Sequence, residues 1–150
     1  MPETPRQMQQ LSPFHLAIPV HDLQAARIFY GGLFGCNEGR SAEHWVDFDF
    51  FGHQLVCHLD SGAAKRDSLF SDVDQNQVPV PHFGIVLDMN DWEKLAERLQ
   101  ASDTEFVIRP HVRFRGQVGE QATMFLTDPS GNALEFKAFR DIGRELFAKD

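Results

Sequence analysis

Apolar and polar positions along this chain fall into short alternating runs separated by two stretches of helical spacing, and the same order of elements occurs twice. Phe14 to Val20 reads as a strand that stops at Pro19, where the ladder loses a donor. Leu23, Ala26, Tyr30 and Leu33 or Phe34 then recur at intervals of three and four, which predicts a helix over 23–34 with Asp22 as N-cap and Gly35 at its end. Residues 36–43 read as a short strand or loop. Trp45–Phe50 alternates, Phe51-Gly52 turns the chain, and His53–Leu59 alternates again with Leu55, Cys57 and Leu59 on one face. Residues 60–80, rich in Asp, Ser, Gln and Pro, have no clear period and read as a connector with one short helix. A second strand follows over His82–Leu87. A helix marked by Trp92, Leu95, Ala96 and Leu99 comes next, with Asn90 or Asp91 as its cap, and then a long alternating strand over 104–114. After the Gly116–Glu120 turn, Gln121–Thr127 is a strand and Asp128-Pro129-Ser130-Gly131 a tight turn, with Pro setting φ and Gly supplying the positive-φ position. Residues 132–139 form the last strand, and 141–150 read as a terminal helix with Ile142, Leu146 and Phe147 on one side.

The two halves align residue by residue. His15-Leu16-Ala17-Ile18-Pro19-Val20 matches His82-Phe83-Gly84-Ile85-Val86-Leu87 at an offset of 67, and Gly52–His58 matches Gly131–Lys137 at an offset of 79. Three polar residues stand out on this pattern. His15 and His82 each open an apolar run at equivalent positions, and Glu135 interrupts Leu134 and Phe136 mid-strand, where its counterpart is Val56. Two imidazoles and one carboxylate are the donor set that suits a divalent metal with open positions. Two such modules packed together would bring their first and last strands round one cavity and the three residues with them. On the face that holds Val56, His58 is a candidate general acid/base, because imidazole titrates near neutral pH. Arg109, His111, Arg113 and Arg115 share one strand parity. Of these, Arg113 is the candidate for receiving a substrate carboxylate bidentately. Trp45 and Val56 are candidates for the wall of the hollow.

Composition narrows the partners. The chain has 150 residues, a formal net charge of −8 and 14 Phe. That length predicts one domain with a sizeable core, and the acidity argues against nucleic acid or an anionic membrane and for a small-molecule substrate. No apolar run approaches a membrane span, the first ten residues are not of signal-peptide type, and two Cys, Cys36 and Cys57, make no disulfide framework. A cytoplasmic protein with reduced thiols is the expectation.

The histidine opening each half, the Asp22…Phe29-Tyr30 helix and the ending Asp128-Pro129-Ser130-Gly131-Asn132-Ala133-Leu134-Glu135 together resemble the vicinal oxygen chelate superfamily, also called the glyoxalase/bleomycin resistance/dioxygenase superfamily, over about residues 14–139. The resemblance implies an α+β fold in which two βαβββ modules build a curved, mixed eight-stranded sheet around a metal-binding cavity. The organisation would be an N-terminal tail over 1–13, module 1 over 14–60, the connector over 61–80, module 2 over 81–139 and a C-terminal helix over 140–150. It carries the ligand roles onto His15, His82 and Glu135, with Fe(II) first and Mn, Zn, Ni or Co as alternatives, and it implies a homodimer. Val56 cannot supply the fourth ligand of the glyoxalase-like members, so the nearest branch is the extradiol dioxygenases, acting on a small, catechol-like or anionic, oxygen-chelating substrate. The chain departs from that branch at Phe125, where a Tyr is usual, and lacks a His among Gly116, Gln117 and Val118. An isomerase, epimerase or lyase using the metal as Lewis acid, and a metal-free binding protein of the bleomycin-resistance type, are the competing expectations.

Overall fold

The computed structural model describes residues 11–63, 69–73 and 76–149; residues 1–10 of the expected tail and 64–68 of the connector lie outside it. Module 1 begins with β1 (His15–Val20) and α1 (Leu23–Ala26), and α1 runs on into a π-helical stretch, Arg27–Leu33. Asp22 caps it, its carboxylate accepting the Ala25 N–H. The sequence predicts one α-helix here, but the Phe34 N–H bonds the Phe29 carbonyl five residues back. Gly31 and Gly32 favour an α-turn poorly, and the wider turn sets Phe29, Tyr30 and Phe34 into the core together. β2 (Glu38–Ala42), β3 (Trp45–Phe50) and β4 (His53–Leu59) complete the module. Where a short helix was expected in the connector, a hairpin of β5 (Leu69–Val73) and β6 (Asn76–Val80) is found, its β-branched and Pro residues suiting extended backbone. Module 2 is β7 (His82–Asp88), α2 (Met89–Ala101), β8 (Phe106–Arg113), β9 (Gln121–Thr127) and β10 (Ala133–Phe139). The cap of α2 is Asp88, two or three residues before the expected Asn90 or Asp91, with its carboxylate on the Asp91 N–H. The terminal helix is shorter than predicted: α3 spans Ile142–Glu145 alone.

The fold is α+β. Eight strands form two mixed sheets in the orders β1-β4-β3-β2 and β7-β10-β9-β8. In each, the first strand runs parallel to the last and the other pairs are antiparallel. Alternation decides which face is dry. Ile18, Val20, Val46, Phe48, Phe50, Leu55 and Cys57 of the first sheet and Ala122, Met124, Leu126, Leu134, Phe136 and Ala138 of the second share one core with the helices. Phe34 stacks on Phe136 at 5.3 Å and Phe50 meets Phe83 edge-on at 5.8 Å. The modules therefore pack through their helix-bearing faces and leave the opposite faces open. Among the described residues no helix is long and apolar enough to cross a membrane.

One buried carboxylate ties the modules together. Asp128 is 5% exposed. Its Oδ1 accepts the N–H groups of Ser130 and Asn132, both at 2.9 Å, and its Oδ2 accepts the Tyr30 hydroxyl at 2.8 Å and the Asn132 side-chain amide at 2.9 Å. Asn132 also donates to the Pro19 carbonyl, and the His21 N–H donates to Ser130 Oγ. Burial first, and then the Asp128 charge, hold the Tyr30 phenol well above its usual range.

Tyr30 is the sole tyrosine, so its titration can be read without overlap from another phenol. Its folded pKa is raised, so the stability it contributes is complete below the ordinary value of 10.0 and is lost as pH climbs beyond that. Folded protein at pH 10 is expected to show no tyrosinate absorbance while urea-unfolded protein is half ionised; equal ionisation in both would contradict the Tyr30–Asp128 bond. Tyr30→Phe is expected to cost about 1.5–3 kcal/mol in urea melts, the range for a hydrogen bond to a charged group. A second pair of variants tests β7. A Cβ at Gly84 would lie 1.5 Å from the Glu135 carbonyl oxygen, whereas one at Gly32 meets nothing within 4 Å. Gly84→Ala is expected to lose at least about 1–3 kcal/mol through overpacking, and Gly32→Ala to lose nothing measurable.

Candidate functional site

The open face of the second sheet is the floor of a cavity of about 520 Å³. Strand pairing lays this floor out in rows. His82 lies opposite Ala133; Glu135 lies between Gly84 and Phe125, with Ile108 beyond; Lys137 lies opposite Thr123, with His111 beyond; Gln121 lies opposite Arg113. Two irregularities in β8, one between Phe106 and Ile108 and one between Ile108 and His111, put Ile108, His111 and Arg113 together on the cavity wall. That corrects the reading of a single cationic stripe. Arg109 falls in the bulge beside Pro110, which has no N–H to give a ladder, and Arg115 pairs with Glu93 at the surface at 3.7 Å.

His82 and Glu135 meet at the head of the floor. The His82 Nδ1 lies 2.6 Å from the Pro79 carbonyl, an acceptor only, so Nδ1 carries the hydrogen and donates. Nε2 then faces Glu135 Oε1 at 3.4 Å. The other carboxylate oxygen, Oε2, is held by the Thr123 hydroxyl at 2.6 Å, and the Phe125 ring stands edge-to-face with the imidazole at 5.0 Å. A tied imidazole and a tied carboxylate oxygen converge on one point. An imidazole nitrogen with a carboxylate oxygen is a donor pair that would fit a divalent ion.

His15 lies on the open face of the other sheet. Its Nδ1 is 2.7 Å from Gln54 Oε1, and Gln54 Nε2 donates to Asp47 Oδ2 at 3.1 Å. Asp47 is 8% exposed and, as a carboxylate, fixes which way the Gln54 amide points. The amide oxygen therefore faces His15, which makes Nδ1 the donor of this bond and turns Nε2 outward, as in His82. Among the described residues of one chain no three His, Cys, Asp or Glu side chains gather into a metal-ligating group. His82 and Glu135 are brought together and His15 is not. The end of β1, at Pro19 and His21, docks on the 128–132 turn, while His15 stands about 13 Å further back along the strand by its rise.

The remaining predicted residues sit with His15. Val56, 6% exposed, lies between Ala17 and Asp47 and offers no ligand atom. Trp45 and His58 pair across β3 and β4, Trp45 half-buried and His58 exposed. Arg113 does line the cavity. Thr123, Gln54 and Asp47 hydrogen-bond the candidate ligands or their partners, and the sequence pattern did not single them out. A signal for Thr123 existed: the 128–131 turn sets the β9–β10 register, which makes Thr123 the diagonal neighbour of Glu135. The Cys36 and Cys57 thiols are free; burial pushes them up to about 11 and about 12, which leaves no thiolate nucleophile at neutral pH.

Comparisons with known proteins agree with this architecture. The sequence matches the family model of the Glyoxalase/Bleomycin resistance protein/Dioxygenase superfamily over residues 12–136. A glyoxalase/bleomycin resistance protein/dioxygenase from Alicyclobacillus acidocaldarius is similar at 36% identity and a TM-score of 0.70, covering 87% of this chain and 92% of that one. Two more distant structures share the fold. Lactoylglutathione lyase from Agrobacterium tumefaciens is 18% identical with a TM-score of 0.59, covering 87% of this chain and 95% of that one. The fosfomycin resistance protein FosX from Listeria monocytogenes is 17% identical with a TM-score of 0.60, covering 87% and 93%. No curated protein matches the sequence. With paired βαβββ modules, a His at the head of each and a family match running through both, the chain belongs to the glyoxalase/bleomycin resistance protein/dioxygenase superfamily.

Proposed function

We propose that this protein is a metal-dependent enzyme whose metal is held by His82 and Glu135 of one chain and His15 of a second copy. The observation that carries the reading is the 3.4 Å approach of His82 Nε2 to Glu135 Oε1, with the outer atom of each group already occupied by Pro79 and Thr123. His15 supports the homodimer. It is oriented by the Gln54–Asp47 pair as a ligand would be, yet among the described residues its own chain gathers no metal-ligating group round it. Two open sheet faces on one chain, each with part of a ligand set, are complementary when the first face of one copy covers the second face of another.

His82, Glu135 and the second copy's His15 would hold a divalent ion with open positions, and its chemistry there would be that of a Lewis acid toward an oxygen pair of the substrate. Of the reactions that use this, ring cleavage of the extradiol-dioxygenase type with Fe(II) and O₂ is the leading assignment, acting on a small catechol-like substrate. His58 reaches the cavity with the second copy's face and serves as general acid/base. The setting is cytoplasmic, in keeping with free thiols. A Lewis-acid isomerase or lyase is the second reading, and one observation favours it. The residue beside His82 is Phe125, and the sole tyrosine, Tyr30, is committed to Asp128 in the core, so no phenol stands in the cavity.

Metal analysis after purification without chelators is expected to give about one equivalent per chain, and Glu135→Gln to remove it. His15→Ala and His82→Ala are each expected to lose the metal as well. Co-folded as mixed dimers they are expected to regain one ion per two chains, because one of the two composite sites is then intact. Metal retained by His15→Ala, or no recovery on mixing, overturns the shared site. Fe or Mn with O₂ uptake on catechols supports the dioxygenase; Ni, Co or Zn with O₂-independent turnover supports the Lewis-acid reading; no metal on reconstitution leaves a ligand-binding protein. Gln54→Leu is expected to weaken metal binding about 10–100-fold, the usual cost of removing a ligand's orienting partner, without loss of the fold by circular dichroism.

A further inference from the structure

We infer that the far end of the cavity floor is an oxyanion subsite centred on Lys137, so that the substrate carries a carboxylate or another small oxyanion about one ring's width from its chelating oxygens. This rests on the metal reading for the chelating end alone.

Charge sorting is the first observation. The chain has 22 acidic and 14 basic residues, yet among the described residues the cavity lining inverts the balance: Lys137, Arg113 and His111 stand against one acid, Glu135. The rows put that acid at the head with His82 and the basic groups beyond it, Lys137 and His111 flanking Thr123 in one row and Arg113 opposite Gln121 in the next. Glu135 and Lys137 are two residues apart on one strand face, about 7 Å by the rise of a strand, which is the span of a six-membered ring between a chelating oxygen and a ring substituent.

Commitment elsewhere is the second observation. Three surface arginines are engaged by acids, Arg27 by Glu38, Arg115 by Glu93 and Arg144 by Asp141. Lys137 is half-buried, and among the described residues no carboxylate lies within ion-pair distance of it; its amine approaches the Phe139 ring at 5.8 Å instead. Thr123 is spent on Glu135, so the hydrogen-bond donors of this row that remain for a ligand are Lys137 and His111. An ammonium with an aromatic wall in a partly enclosed hollow is a stronger anion site than the same group on a wet face.

The anion subsite is tested apart from the metal on chelator-treated full-length protein. Benzoate and phenylphosphonate are titrated beside benzyl alcohol, a neutral ring of similar size, by calorimetry. At least one anion is expected to bind about tenfold or more tightly than the alcohol, the worth of one charge-assisted hydrogen bond, and the tighter of the two tells carboxylate from phosphonate. Lys137→Met is expected to abolish the preference, Arg113→Met to reduce it, and Arg109→Met, outside the cavity, to keep it. A wild-type protein that prefers neither anion, or a folded Lys137→Met that keeps the preference, overturns the subsite. On metal-loaded protein, 3,4-dihydroxybenzoate is expected to bind more tightly than catechol, and Lys137→Met to erase that difference while leaving catechol unchanged. If no metal is taken up but benzoate discrimination persists, the metal reading fails and the anion subsite stands.

Discussion

The buried Asp128 carboxylate is the interaction on which the arrangement of this molecule depends. It holds two backbone N–H groups of its own turn and one side chain from each side of the junction, Tyr30 and Asn132. A charge this deep is tolerated only when its acceptor sites are filled, so the turn, the π-helical Tyr30 and the end of β1 are fixed together. The turn in turn fixes the β9–β10 register, and that register places Thr123 where it can hold Glu135. The orientation of a site residue is thus set by packing on the far side of the sheet.

The two modules solve the same local problem with different chemistry. Each presents a histidine at the head of its first strand with Nδ1 tied down and Nε2 outward. In module 2 the tie is a backbone carbonyl, Pro79, delivered by the hairpin; in module 1 it is a side-chain amide, held in its turn by Asp47. The carboxylate, by contrast, exists in one module alone.

Much of this was legible along the chain. The offset between His15 and His82 marks the repeat, alternation marks the strands, and the Asp128–Gly131 turn and Glu135 follow from residue chemistry that acts over a few positions. What was not legible depends on distant partners. The core role of Tyr30 could be guessed, but its bond to Asp128 spans the module junction. The stripe of Arg109, His111, Arg113 and Arg115 assumes an unbroken period of two, and the irregularities around Pro110 break it. The hairpin at 69–80 carries no strong alternation, and the cap at Asp88 competes with two equally good candidates beside it. Which sheet faces meet is a matter of how modules pack, and for that reason His15 stands apart from His82 within one chain.

Val56 bears on more than its own packing. It is directly paired with Asp47, and Asp47 is the residue that orients Gln54. A glutamate at position 56 would stand about 5 Å, Cβ to Cβ, from a buried carboxylate, and their repulsion would pull Asp47 from the amide that aims His15. A carboxylate at position 56 therefore calls for a second change that steers that histidine in another way.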